Sequence, residues 1–228
     1  MQRFILKARS FCSGLVVDMR PHLQVLAALL MVVTVAFGSY KSVKVKVDPA
    51  GSYPFHMTQG QVTIAADAYE TNDKVKTAFD LKDLDKMGIV PVNVIISNES
   101  EDLILVSGQD INLLDSQNRS LEAMPVEQII QAIVGKGKSP PTHGPNPPSR
   151  LPLPRKEGLR GDAFEIETDL NNKSLKELRV NPRSTASGFV FFRLPDHQIR
   201  LAGHKLYVPQ VKNLTTRQDL LFFEVEFK

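Results

Sequence analysis

The sequence predicts a mainly β protein, an antiparallel β-sandwich with one or two accessory helices and an N-terminal hydrophobic helix. Three observations predict this class. Residues 89–98 form a run rich in β-branched residues, which is typical of a strand. Residues 223–228 alternate apolar and charged side chains, as a half-buried strand does. Short strand-like segments with polar turns follow residue 98, and such spacing favours a sandwich or barrel over a parallel α/β sheet.

Composition limits the classes of protein that remain. A chain of 228 residues is long enough for one domain with accessory segments. Hydrophobic and charged contents of 42% and 23% are ordinary for a globular protein and exclude a polytopic membrane protein. The net charge is only +3 and the basic residues are dispersed, so no nucleic-acid partner is predicted. The single cysteine, Cys12, precedes the hydrophobic segment, and the domain beyond it therefore has no disulfide.

The segment Leu23–Phe37 carries no charge and predicts export. Its length of about fifteen residues is short for a spanning helix and typical of a signal-peptide core. Four basic residues and one acid precede it, which indicates a cytoplasmic flank: Arg3, Lys7, Arg9, Arg20 and Asp18. Residues 36–38 offer the small side chains of a cleavage site, so two interpretations remain open. Residues 1–40 are either a cleaved signal or an uncleaved anchor that inserts into the membrane through residues 23–40.

In both interpretations residues 41–228 are an extracytoplasmic domain, which is periplasmic in a Gram-negative cell. A soluble core helix at Leu23–Phe37 would show polar positions at helical spacing, and this run lacks them.

The first part of the domain predicts alternating elements. Alternation over residues 43–47 indicates a strand or an extended stalk, and residues 62–65 indicate a second strand. Residues 70–87 predict a helix that ends at Gly88. Its apolar face would comprise Val75, Ala78, Phe79, Leu84 and Met87.

The strand over residues 89–98 and a second arm over residues 103–106 predict a β-hairpin, because a polar turn joins them. A further strand is expected over residues 110–115. Residues 126–134 predict a helix, since Pro125 suits a first turn and Gly135 suits an end.

Composition changes sharply over residues 135–157, which predict a proline-rich insertion of polyproline character. Such segments also dock into aromatic grooves of partner proteins, which is a second reading of the insertion. Residues 162–178 fit a strand and a helix equally well. Strands are expected again over residues 187–195, 205–209 and 220–227.

Two strands carry a resemblance to a known family. Residues 91–100, with the sequence Pro-Val-Asn-Val-Ile-Ile-Ser-Asn-Glu-Ser, and the later strand 188–195, followed by the closing aromatic strand, resemble immunoglobulin-like domains of uncharacterised bacterial exported or membrane-anchored proteins. The resemblance covers roughly residues 62–228 and implies an immunoglobulin-like β-sandwich. It implies no activity and no functional residues.

The sequence predicts no catalytic, cofactor-binding or metal-ligating residue, and no cofactor. A nucleophile elbow of the Gly-x-Ser-x-Gly type is absent. The five histidines are scattered and no two stand at i, i+4: His22, His56, His143, His197 and His204. The run Gly135–Ser139 lacks the first glycine of a phosphate loop, and acidic residues near Asp115 fit a hairpin turn better than a calcium loop.

These patterns favour a non-enzymatic interaction or scaffolding domain at the cell envelope, with an unknown envelope protein as partner. Its partner surface is expected on exposed strand edges or in the aromatic C-terminal region. The alternative is a small-molecule or lipid-binding carrier with a pocket between helix and sandwich, lined by Phe79 and Leu84.

Overall fold

The computed structural model describes residues 40–134, 162–195, 199–220 and 222–228, and Tyr40–Lys228 form one compact unit. The predicted hydrophobic helix and the proline-rich insertion lie outside the described residues. The helices are α1 Asn72–Lys76, α2 Val126–Val134 and α3 Asp162–Lys173. The strands are β1 His56–Gln59, β2 Val62–Ala68, β3 Ile89–Asn98, β4 Ile104–Ser107, β5 Asn112–Leu114, β6 Ser120–Glu122, β7 Glu177–Val180, β8 Ser184–Arg193, β9 Lys205–Val208, β10 Val211–Asn213, β11 Asp219–Leu220 and β12 Phe223–Glu226.

None of the helices in those ranges has the length and apolar character that crossing a bilayer requires.

The strands form three antiparallel sheets, which confirms the mainly β class. Sheet A has the order β1-β2-β3-β8, sheet B the order β11-β10-β4-β7, and sheet C the order β12-β9-β5-β6. One apolar cluster joins buried side chains from all three sheets, for example Val92 in sheet A, Val106 in sheet B and Leu206 in sheet C. Sheet A therefore packs with one face against sheets B and C.

Sheets B and C continue into one another along three stretches of chain. Strands β4 and β5 are separated by the 3₁₀ turn Gly108–Asp110, β10 follows β9 after residues 209–210, and β12 follows β11 after residues 221–222. The first interruption is a helical turn and the second contains Pro209, which lacks a ladder donor. The β layer opposite sheet A is therefore broken along one line.

Strand β3 is buried along its whole length because both faces of sheet A are covered. It pairs with β8 over all ten residues, from Ile89 opposite Arg193 to Asn98 opposite Ser184. The side chains of Val90, Val92, Val94 and Ile96 join the core shared with sheets B and C, whereas Ile89 joins a second apolar cluster. Burial on two faces explains why residues 89–98 show no alternation.

The second cluster covers the outer face of sheet A with helices and irregular chain. Its buried members are Tyr40, Tyr69, Val75, Ala78, Phe79, Leu81, Leu84, Ile89, Val126, Ile129, Ile130, Leu170, Phe189 and Phe191. Residues 41–49 form neither helix nor strand. Their half-buried valines alternate with exposed residues, and Val45 and Val47 pack against apolar clusters. The alternation of residues 43–47 therefore reflects chain lying along the domain, not a strand.

The helix predicted over residues 70–87 is wrong for most of its length. Only α1 and a 3₁₀ turn at Asp85–Met87 are helical. The Thr77 hydroxyl donates to the Lys74 carbonyl at 2.7 Å, a local bond that competes with helix continuation. Asp83 adopts a φ of 66°, a left-handed conformation that a continuous α-helix cannot contain. Because the chain is irregular here, it buries both Phe79 and Leu81 against sheet A.

The predicted hairpin between residues 89–98 and 103–106 is also wrong. Strand β3 pairs with β2 and β8, and β4 pairs with β10 and β7. The Asn98 amide donates to the carbonyls of Asp102 at 2.7 Å and Val180 at 3.3 Å, so the turn directs the chain into the other layer. One hairpin that does form joins β1 and β2 across Gly60, whose φ is 57°.

The remaining predictions fare better. Helix α2 has the predicted bounds, and strands β5, β9 and β12 lie in the predicted segments, whereas β8 overlaps its predicted segment but begins earlier, at Ser184. The ambiguous residues 162–178 contain helix α3, followed by the first residues of β7.

Candidate functional site

A buried ion pair connects the start of the domain to helix α3. Asp169 is 5% exposed and accepts from Lys173 Nζ at 2.7 Å, one helical turn away. The Tyr40 hydroxyl donates to Asp169 Oδ2 at 2.5 Å, and the Ser42 hydroxyl donates to Oδ1. Lys173 also donates to the Ala78 carbonyl at 2.6 Å. Because every charged atom has a partner, this cluster acts as a structural clamp.

Two tyrosines in this region stay protonated. Burial, and then the hydrogen bond to Asp169, raises the pKa of Tyr40 far above its usual range. Burial also raises the pKa of Tyr69 to about 12. Both hydroxyls therefore stay protonated at neutral pH, and that of Tyr40 serves as a donor to Asp169.

The histidines and acidic turn considered in the sequence do not converge. His56 Nδ1 lies 2.6 Å from the Tyr53 carbonyl and is exposed, while His204 belongs to the turn before β9. His22, His143 and His197 lie outside the described residues. Within the part of the chain that the structure covers, no group of three or more histidine, cysteine or carboxylate side chains is arranged to hold a metal.

Asp115 caps its own turn, as the hairpin-turn interpretation predicts. Its carboxylate accepts from the backbone amides of Arg119 and Gln117, each at 2.8 Å, and from Arg119 Nε at 2.6 Å. The Arg119 backbone bond, supported by the other donors, holds the pKa of Asp115 below its usual value.

A cavity of about 330 Å³ lies between helices α2 and α3 and strand β8. We call it the helix–sheet cavity. Its lining residues are Gly108, Gln109, Ala123, Met124, Pro125, Val126, Glu127, Asn171, Ser174, Leu175, Lys176, Phe189, Val190 and Phe191. Apolar side chains predominate on the sheet side, and polar ones come from α2, from α3 and the residues after it, and from the turn at Gln109.

The segment after α3 is fixed tightly beside the cavity. Leu175 N donates to the Phe189 carbonyl at 2.8 Å, and Gly108 N donates to the Lys176 carbonyl at 2.6 Å. A Cβ atom on Gly108 would lie 2.0 Å from the Leu175 carbonyl oxygen, which is backbone and cannot rotate away. Glycine is therefore required at position 108 for this close approach.

Replacing Gly108 with alanine is expected to lower the free energy of unfolding by about 3 kcal/mol, because the methyl group collides with backbone. Urea unfolding followed by circular dichroism measures the change. Gly51→Ala is the matched control, since no atom lies within 4 Å of its added methyl group. Equal stability of the two variants would contradict the close approach.

The residues expected to line a pocket lie elsewhere. Phe79 and Leu84 are both 0% exposed and pack within the second apolar cluster, and neither lines the helix–sheet cavity. The lining of the helix–sheet cavity comes from four separate stretches of chain. The sequence carries no periodic signal that brings these stretches together, so sequence reasoning missed them.

A second concave surface follows the line along which sheets B and C are broken. We call it the transverse groove; its volume is about 820 Å³, and its lining residues are Gln109, Asp110, Asn112, Glu122, Ala123, Pro209, Gln210, Asp219, Leu220 and Phe222. Three of these carry carboxylates and none is basic.

Phe222 is the exposed aromatic of the transverse groove. Its side chain is 45% exposed and its ring centroid lies 5.7 Å from that of Tyr207. Its neighbours Phe223 and Phe227 are buried in the core. In the predicted aromatic C-terminal region, Phe222 therefore lies at the surface, whereas Phe223 and Phe227 lie inside.

Comparisons with known proteins identify no family. No protein-family model matches the chain, and no curated protein matches it. Among solved structures, the chain is similar to the crystal structure of the yjhA protein from Bacillus subtilis, with 11% identity and a TM-score of 0.33. The similarity covers 68% of this chain and 76% of that one. A likeness of this degree carries no conclusion about fold or function.

Proposed function

We propose that residues 41–228 form a non-enzymatic interaction or scaffolding domain at the cell envelope, and that the transverse groove contacts its protein partner. The carrying observation is Phe222, a large aromatic side chain that remains 45% exposed at the edge of a concave surface. Aromatic residues are enriched in protein–protein contacts because they bury much area at little entropic cost.

The acidic lining of the groove favours a partner with a basic surface. Asp110, Glu122 and Asp219 contribute three carboxylates to the lining, without a lysine or arginine among the lining residues. A partner surface that carries lysine or arginine complements this charge and would be steered toward it.

We further propose that the domain is immunoglobulin-like. Support comes from the antiparallel pairing throughout the described sheets and from the shared core between sheet A and sheets B and C. The helices on the outer face of sheet A are additions to such a sandwich. An experimental structure with a TM-score above about 0.5 to an immunoglobulin domain would support this assignment; a lower score would contradict it.

Changing Phe222 to serine is expected to abolish partner contact without unfolding the domain, because the side chain is 45% exposed and lies outside the apolar core. A photo-crosslinking residue at Glu122, on the groove, reports the contact in intact cells. Leu214→Ser is the matched control, since Leu214 is 38% exposed but does not line the groove. Crosslinks that persist unchanged in Phe222→Ser would contradict the proposed surface.

The proposed address rests on the sequence of Leu23–Phe37. We propose that this segment delivers the domain across a membrane, either as a retained anchor or as a cleaved signal. Cell fractionation tests this, with the full chain expected in the membrane fraction or outside the cytoplasm. Recovery in the soluble cytosolic fraction would contradict it.

The second candidate function is a small-molecule carrier. The helix–sheet cavity favours it, since its volume of about 330 Å³ falls at the lower end of the range of ligand pockets. The cavity lies between helices α2 and α3 and strand β8, and neither Phe79 nor Leu84 lines it.

A further inference from the structure

We propose that the helix–sheet cavity binds a small amphipathic monocarboxylate, a molecule with one apolar part and one carboxylate. This inference rests on the carrier alternative and names its ligand class. It assigns roles to three groups of side chains: an apolar floor, a cationic partner and a carboxylate that limits ligand charge.

The floor of the cavity suits an apolar group. Phe189 and Phe191, from strand β8, and Leu175 line it. The carbonyl of Phe189 already accepts from Leu175 N at 2.8 Å, and that of Phe191 accepts from Met124 N at 2.7 Å. Because these backbone acceptors are already paired within the chain, the floor presents apolar surface and needs no polar atom from a ligand.

The polar part of the lining suits a carboxylate. Lys176 Nζ donates to Asn171 Oδ1 at 3.0 Å, a neutral acceptor. Among the residues that the structure describes, Lys176 forms no ion pair with a carboxylate. An ammonium group has three donor hydrogens, so Lys176 retains donors for a ligand. A carboxylate on the ligand would make a charge-assisted hydrogen bond there.

Glu127 restricts the charge of the ligand. It also lines the cavity, on the α2 side. Glu127 is exposed, and a second carboxylate on the ligand would lie beside this like charge, which disfavours it. A monocarboxylate therefore fits the lining better than a dicarboxylate.

The size of the cavity sets the scale of the ligand. A volume of about 330 Å³ excludes most lipids with two acyl chains and leaves space for a short acid. We choose 4-phenylbutanoate as the probe and 4-phenylbutan-1-ol as its uncharged partner. The two share the apolar part and differ in the carboxylate.

The test uses the full chain in lipid nanodiscs, with empty nanodiscs as background, and ligand-observed NMR titration as the readout. Both probes are expected to bind. Lys176→Gln is expected to weaken the acid about tenfold and leave the alcohol within about twofold, because only the acid loses its charge partner. Lys212→Gln, at an exposed position on β10, is the matched control and should change neither.

Filling the cavity tests its location. Ala123→Phe is expected to weaken both probes at least about tenfold, and Gln109→Phe, from an exposed position, gives the same result should the first variant lose stability. Ala202→Phe, at an exposed site outside the cavity, should leave binding unchanged. Unfolding temperatures, measured for every variant, separate lost binding from lost fold.

The outcomes separate the ligand class from the carrier function. Binding of the alcohol alone, or equal weakening of both probes by Lys176→Gln, overturns the monocarboxylate and leaves a carrier in place. Binding of neither probe, or binding that cavity filling does not affect, overturns the site and the carrier alternative together. The crosslinking experiment tests the interaction function at Phe222 separately.

Discussion

Replacing Asp169 with alanine is expected to lower the free energy of unfolding by about 3–5 kcal/mol. Lys173 is only 15% exposed at its side chain and would keep its charge with no carboxylate beside it. The hydroxyls of Tyr40 and Ser42 would lose their acceptor in the same step. Buried donors without partners add to the cost. Urea unfolding followed by circular dichroism, with an unchanged m-value, measures the loss.

Two further variants isolate the charge effect of Asp169. Removing the lysine as well, in Asp169→Ala with Lys173→Met, is expected to recover part of the stability, since no uncompensated charge remains. Glu165→Ala on the same helix is the exposed control and should change stability by less than about 0.5 kcal/mol. A loss below about 1 kcal/mol in Asp169→Ala would mean that the clamp does not hold the domain.

Truncating Phe79 to alanine is expected to lower the free energy of unfolding by about 3–5 kcal/mol. Its ring is 0% exposed and lies 4.8 Å from Phe189 and 5.7 Å from Phe191, centroid to centroid. Lys173 Nζ lies 5.0 Å from the same ring. The variant therefore loses buried area, two aromatic contacts and a cation–π contact, and leaves a cavity behind.

The same truncation at Phe222 provides the control. Phe222→Ala removes the same atoms from a ring that is 45% exposed, so a loss below about 1 kcal/mol is expected. The comparison also decides the role of Phe79. If Phe79 lined a ligand pocket, as the sequence suggested, its truncation would cost little stability and would change ligand binding; the packed cluster predicts the reverse.

The sequence predicted the elements that carry a strong local signal, either a long apolar run or residues that mark both ends. Strands β3 and β8 were found because they are long and rich in apolar residues, and α2 was found because Pro125 and Gly135 mark its ends. Strand β1 was missed, since His56–Gln59 alternates exposed and half-buried residues and carries few apolar side chains. Its conformation comes from pairing with β2 across Gly60.

Long-range contacts explain why the predicted hairpin and the predicted helix over residues 70–87 were wrong. Residues 103–106 look like the second arm of a hairpin, but β2 and β8 already occupy both edges of β3. Residues 77–84 have helical spacing, yet sheet A buries Phe79 and Leu81 from irregular chain. Tertiary contacts of this kind override local propensity.

The candidate sites depend wholly on such contacts. The helix–sheet cavity brings Gly108, Ala123, Lys176 and Phe189 together from four stretches of chain, and no spacing rule connects them. The transverse groove follows from breaks in three strands, of which only Pro209 leaves a sign in the sequence. Phe222 was within the predicted aromatic region, but its exposure depends on the break between β11 and β12.

The pairing of β3 with β8 has a consequence for how the chain acquires its fold. Residues 99–183 separate the two strands, so one edge of a wholly buried strand has no partner until the later part of the chain emerges. Synthesis at about 5–20 residues per second makes that interval several seconds long. Distant pairing also slows folding itself, because the loop between the strands must close first. Until then β3 exposes an edge of unpaired backbone N–H and C=O groups beside apolar side chains, which is open to association with other chains. Nascent molecules are therefore expected to need a chaperone that shields residues 89–98.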